Sequence, residues 1–214
     1  RLHILHLTTK EECDFLRTLP REHHISTEVC PQHLVLTSPE CYEHLGTKAQ
    51  MNPPIRSKRH TVALWQALKD GIIDCIATDH APHTLAEKKQ PYGKSPSGMP
   101  GVETSLALML DRVNRDLCTL PEVVYWMSES PAKLYKMRGK GRIEVGHDAD
   151  LTLIDMSLKR KVTNGKLHSR VNWSPFDGME LQGWPVRTIV NGQTVFFNGE
   201  VNKSVRGKEI CFAS

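Results

Sequence analysis

The segment Thr78-Asp79-His80-Ala81-Pro82-His83 sets one carboxylate and two imidazoles close together, directly after the apolar run that begins at Ile72. An aspartate in that position can hold a hard or borderline metal ion through one oxygen and act as a base through the other. The same residue can also simply cap a turn, and the residues alone leave both readings open. His6 follows another apolar run and offers an imidazole nitrogen to a metal, or else a hydrogen bond to its own surroundings. Strand alternation turns His3 away from the face of His6, so His3 is read as structural. Asn52 precedes Pro53 and Pro54, which project its amide from a stiff loop; ordinary turn chemistry is the alternative. Gly98-Met99-Pro100-Gly101 leads toward a helix, so the Gly101 N–H could receive an anionic group. Glu103 then reads as a first-turn acid on that helix.

The elements that must position these groups alternate between strand and helix. Strands are expected over Leu2–Leu7, Ile25–Cys30 and Ile72–Thr78, the last continuous enough to be buried on both faces. Thr9-x-x-Glu12 fits a capping box for a helix running to about Leu19. His23-His24 fall on an expected loop. Ser57 should cap a helix with apolar positions Val62, Leu64, Trp65 and Leu68, ended by Gly71. Two more helices are expected, one around Leu106–Val113 and one from Pro121 to about Met137. From Gly139 onward the texture changes to alternating strands at Arg142–Ile154, Val186–Val190 and Thr194–Val201, with Asn191-Gly192 and Asn198-Gly199 as turn signals. This order divides the chain into an α/β portion, residues 1–138, and a β-rich portion, residues 139–214. Composition excludes other classes: of 214 residues 39% are hydrophobic and 24% charged, which suits a packed core rather than disorder. No apolar run approaches the roughly 20 residues that span a bilayer, so no membrane role is expected. The net charge is +4 and scattered, with Lys159-Arg160-Lys161 as the densest patch, so nucleic acid is not an expected partner. Six cysteines without a C-x-x-C pair read as reduced thiols in a cytoplasmic protein.

Taken together, Leu5-His-Leu-Thr-Thr9, Met51-Asn-Pro-Pro-Ile-Arg56, Ala77-Thr-Asp-His-Ala-Pro-His83 and Ser97-Gly-Met-Pro-Gly-Val-Glu-Thr104 closely resemble the dihydroorotases of the amidohydrolase superfamily. The tail, with Gly146-His-Asp-Ala-Asp-Leu-Thr-Leu-Ile154 and Trp173-Ser-Pro-Phe-Asp-Gly178, resembles the C-terminal β segment of that family, so nearly the whole chain is covered. The resemblance implies the C-terminal part of a (β/α)8 TIM-type, metal-dependent hydrolase barrel followed by a small β segment of β-sandwich type. It assigns His6 and Asp79 as metal ligands and Asp79 as the catalytic acid/base, with Asn52, His83, Pro100 and Gly101 contacting the substrate. It implies zinc, one or two ions, and reversible cyclisation of N-carbamoyl-L-aspartate to L-dihydroorotate by metal-hydroxide chemistry in pyrimidine biosynthesis. A homodimer is the expected assembly of the whole enzyme, with other pyrimidine-pathway enzymes as further possible partners. One departure is Cys30-Pro31-Gln32-His33, where the family often has two consecutive histidines; neither is a ligand in the resemblance. The family's His-x-His pair, its bridging lysine carbamate or aspartate and one more histidine are expected ahead of Arg1. A (β/α)8 barrel takes about 250 residues, so the chain is expected to be a fragment, inactive alone. The resemblance keeps two alternatives open: a related allantoinase or dihydropyrimidinase, and a non-catalytic dihydroorotase-like subunit.

Overall fold

The computed structural model describes residues 1–20 and 24–213; His23 of the expected loop lies outside the described residues. The chain forms two compact units, Arg1–Ser105 with Lys161–Met179, and Leu106–Arg160 with Glu180–Ser214.

The first unit is built on three parallel strands, β1 (Leu2–Ile4), β2 (Ile25–Val29) and β3 (Cys75–Ile76), adjacent in chain order. Leu2 lies opposite Ile25, and Val29 opposite Ile76. Parallel neighbours need crossover connections, usually helical. Here α1 (Lys10–Arg17) supplies the first, while α2 (Pro31–Val35), α3 (Glu40–Leu45) and α4 (Lys58–Lys69) supply the second. The α/β expectation is thereby met. Helix α1 begins as its sequence predicts: the Thr9 hydroxyl accepts from Glu12 N–H at 3.2 Å, and the Glu12 carboxylate accepts from Thr9 N–H at 2.8 Å. Such a cap stabilises a helix by about 1 kcal/mol.

Three local expectations need correction. The paired part of β3 is shorter than the apolar run, because the Asp74 carboxylate accepts from Thr27 N–H at 2.7 Å and takes the place of a strand carbonyl. Pro31 does more than end β2; it opens α2, where a missing N–H costs nothing in the first turn. Ser57 stands at the N-cap of α4 but its side chain makes no capping bond, and α4 buries Leu64, Ala67 and Leu68 while Val62 is exposed. A short helix unforeseen in the sequence, α5 (Leu85–Lys88), is started by Thr84 and Glu87 in a second capping box.

In the second unit α6 (Ser105–Asn114) is followed by a continuous helical run, α7 (Leu120–Val124), a π turn (Tyr125–Glu129) and α8 (Ser130–Leu134). The strands β4 (Leu151–Lys161), β5 (Glu180–Val190), β6 (Gln193–Phe197) and β7 (Glu200–Val201) form one sheet in that order. Pairing of β5 with β6 and of β6 with β7 is antiparallel. Both Asn-Gly turns take the left-handed conformation their residues favour, with φ of 49° and 78° at Asn191-Gly192 and 49° and 96° at Asn198-Gly199. The strand expected from Arg142 instead begins at Leu151. Residues 142–150 form an irregular loop with Ile143 and Val145 exposed, folded back by Asp148 N–H donating to Gly139 O at 3.0 Å and by Lys140 pairing with Asp148 at 2.9 Å. All six cysteines are free thiols, five of them buried. No helix among the described residues is long and apolar enough to cross a membrane.

Candidate active site

The expected ligands lie just beyond the C-terminal ends of the outer strands of the three-stranded sheet. The ladder runs on past β1 and β3 through Leu7 N–H to Glu28 O at 2.8 Å and Ala77 N–H to Val29 O at 3.0 Å. His6 and Asp79 flank those last bonds, and both have left-handed backbones, with φ of 37° and 43°. A non-glycine residue there costs on the order of 1 kcal/mol or more and persists only where its surroundings hold it; such strain concentrates at functional sites. Between them, at the end of β2, Cys30 is fully buried, and its thiol is pushed up first by that burial and then by the Asp79 carboxylate. His33 is pushed down to about 4, chiefly by burial and further by the charge of His6. His6, Cys30, His33 and Asp79 therefore share one edge of the sheet electrostatically.

His33 makes that edge acid-sensitive. Its folded value of about 4 lies below its ordinary 6.5, so as pH falls the unfolded chain takes up the proton first. This contribution to stability is complete above about pH 6.5 and is lost as pH falls toward 4, by up to roughly 3 kcal/mol. Urea unfolding of wild type and His33→Gln at pH 7, 6 and 5 should give a flatter acid limb for the variant; parallel limbs would refute this role.

Helix α2 backs the edge from behind. Gln32 Nε2 donates to Thr78 O at 3.0 Å, beside Asp79, and His33 Nε2 bonds Pro53 O at 3.1 Å, beside Asn52. Asn52 itself is exposed, on a cis peptide to Pro53. Its loop is rooted in a buried cluster that includes Met51, Ile55, Met99 and Trp173. His83 is fixed at both ends: Nε2 bonds Ser97 O at 3.1 Å, and its main-chain carbonyl accepts from Trp173 Nε1 at 2.7 Å. The segment before it folds against residues 97–101 through Ala81 N–H to Met99 O at 3.2 Å. Gly98 has φ of 127°, and a Cβ there would lie 2.6 Å from Ala81 Cβ, so only glycine permits this approach.

The Amidohydrolase family profile matches residues 4–195. The chain belongs to the amidohydrolase family. It is similar to the dihydroorotase of Geobacillus thermodenitrificans, 39% identical over 199 residues, covering 92% of this chain and 46% of that protein. It is also similar to the dihydroorotase of Methanosarcina mazei, 36% identical over 218 residues, covering 97% of this chain and 47% of that protein. Among solved structures it resembles the L-hydantoinase (dihydropyrimidinase) of Arthrobacter aurescens, at a TM-score of 0.90 and 35% identity over 94% of this chain and 46% of that one. The chain spans about half the length of the curated relatives it matches.

Amidohydrolases are generally metal-dependent, and His6 and Asp79 offer donor types that zinc accepts, an imidazole nitrogen and a carboxylate oxygen. Among the described residues the one grouping of three such donors lies elsewhere: His3, Glu28 and Cys75, with ligand atoms within 4.8 Å of one another. His3 Nε2 meets Glu28 Oε2 at 3.0 Å and its Nδ1 meets Ser26 Oγ at 2.8 Å, while burial first and then the Glu28 charge push the Cys75 thiol up to about 12. His3 and Glu28 of this cluster are already hydrogen-bonded to each other within the sheet.

Two further residues behave differently from their sequence reading. The Gly101 N–H, expected to face an anion, donates to His80 Nδ1 at 3.1 Å, joined by Val102 N–H at 3.3 Å. Glu103 does not serve α6, which starts later, at Ser105. Its carboxylate accepts from His168 N–H at 2.8 Å and Ser169 N–H at 2.6 Å. Gln32, His33 and Trp173 were not legible as site residues, since each acts through another residue's carbonyl. The one sequence signal for the first two is a hydrogen-bonding pair placed directly after a strand and a proline.

Proposed function

We propose that this chain is the C-terminal portion of a dihydroorotase, which interconverts L-dihydroorotate and N-carbamoyl-L-aspartate. In this reading residues 1–138 are barrel and residues 139–214 the β-rich segment. The observation that carries it is the pair of strained residues, His6 and Asp79, at one edge of the parallel sheet, with the Asn52 and His83 loops cross-tied nearby. His6 and Asp79 would hold zinc, as one or two ions with ligands from elsewhere in the whole enzyme. Bound there, the metal supplies Lewis acidity and lowers the pKa of water.

Asp79 takes the proton from the attacking water as the C–O bond forms at the ring carbonyl. It returns that proton to the ring nitrogen as the C–N bond breaks, which yields the ureido nitrogen and a new carboxylate. Cyclisation runs the same steps backward. His83, held by Nε2 donating to Ser97 O, would lie against the substrate, while the Asn52 amide NH2 offers donors to its carboxylate. Pro100 and Gly101 would line the same substrate site, with the Gly101 N–H exchanging its His80 partner for the ligand. These contacts fix the ring relative to the metal. The whole enzyme is read as a cytoplasmic homodimer acting on a small molecule alongside other pyrimidine-pathway enzymes.

The structural likeness to a hydantoinase favours a second reading, hydrolysis of an uncharged cyclic amide. A spectrophotometric assay of the complete enzyme with dihydroorotate, dihydrouracil and allantoin separates them. Dihydroorotate should be preferred by at least about 100-fold in kcat/KM, since carboxylate-binding groups left unpaired penalise the other rings. Preference for either of the others overturns the dihydroorotase reading.

A further inference from the structure

Lys88 ends the short helix α5, yet it is only 1% exposed. Its Nζ donates to three main-chain carbonyls, Gln50 O at 2.8 Å, Pro96 O at 2.8 Å and Gly98 O at 2.9 Å. Three donated bonds require the ammonium form, because a neutral amine has two N–H groups. Among the described residues it has no carboxylate partner; the carbonyl dipoles alone replace the water it has lost, and burial lowers its pKa accordingly. An unpaired buried cation is expensive, so a chain that keeps one is gaining something at that point.

The carbonyls it gathers belong to two loops. Gln50 lies two residues before Asn52, and Gly98 two residues before Pro100. Gln50 O also accepts from Gly98 N–H at 3.0 Å. Between the two carbonyls Lys88 takes from the second loop, Ser97 O is taken by His83. Two of the segments assigned to substrate contact therefore meet on one ammonium group, and the third, at His83, joins them through Ser97 O.

We propose that Lys88 is a positioning residue that sets the substrate-binding rim by holding the Asn52 loop, the Gly98–Gly101 loop and, through Ser97, His83 in one register. The inference rests on the dihydroorotase reading for what the rim binds, but not for how the rim is held. Without the ammonium, three carbonyl oxygens would face one another over an apolar gap, and the loops would separate. Displacement of binding groups by about 1 Å can cost on the order of 100-fold.

The test uses the complete enzyme carrying Lys88→Met, which keeps the length of the side chain and removes its donors. With dihydroorotate, KM should rise roughly tenfold or more while kcat changes less than about threefold, since Asp79 and His6 are untouched. Metal content should equal that of wild type. Amide hydrogen exchange should speed up in residues 50–53 and 95–101 and stay unchanged in β1 and β2. Unaltered KM with unaltered exchange in those loops overturns the proposal, as does a fall in kcat at constant KM. If wild type does not turn over dihydroorotate, the functional reading fails by itself, and exchange still decides whether Lys88 holds the loops. Should Lys88→Met not fold, Lys88→Arg keeps the charge without the three-point geometry. It should raise KM severalfold; wild-type KM in that variant refutes the geometric role.

Discussion

Asp79→Asn in the complete enzyme should lower kcat for dihydroorotate by about 1,000-fold or more while the protein still folds and binds substrate. Asparagine keeps the size of the side chain and one oxygen that can face a metal, but it cannot accept and return a proton. General acid–base catalysis alone is worth about 100- to 10,000-fold, and a weakened metal ligand adds to that loss. The fold should survive, because asparagine tolerates the left-handed backbone that Asp79 occupies at φ 43°. Substrate binding should persist because Asn52 lies on a separate loop and His83 is held by its own bonds to Ser97 O and Trp173 Nε1. Steady-state kinetics with calorimetric binding measures both quantities, and turnover within about tenfold of wild type would remove Asp79 from the chemistry.

Trp173→Ala should be the most destabilising single change in the first unit, by about 3–5 kcal/mol. The indole is fully buried, packs in the cluster under the Asn52 loop, and donates to His83 O at 2.7 Å. Trp173→Phe separates the two contributions. It fills most of the volume but leaves the His83 carbonyl without its donor, so stability should fall by only about 1–3 kcal/mol. Its KM should rise without a matching loss of kcat. Thermal unfolding of both variants checks the ordering, and equal losses would mean that the hydrogen bond, not the packing, dominates.

How much of this was legible in the sequence depends on whether the determinant is local. The capping box at Thr9–Glu12 and the Asn-Gly turns rest on residues a few positions apart, and the structure has them as expected. The strand at Arg142 failed because alternation of Ile143 and Val145 says nothing about whether a partner strand stands beside them. At the candidate site, the apolar runs and the polar residues after them placed His6 and Asp79 at strand ends. The groups behind them could not be found in that way. Gln32, Lys88 and Trp173 each bond a carbonyl far along the chain, and every residue type presents the same carbonyl to the reader of a sequence. Glu103 was misread for the same reason, its carboxylate serving a segment more than sixty residues away.

The left-handed backbones at His6 and Asp79 set a limit on engineering this protein. Selection for thermostability alone would favour glycine or asparagine at both positions, where those residues relieve the strain. Each such gain would remove a group the proposed chemistry needs, so the stability optimum and the activity optimum of this segment are different sequences. A thermostabilised version should therefore be sought in the second unit, for instance in the exposed loop 142–150, with the C-terminal edge of the parallel sheet left unaltered.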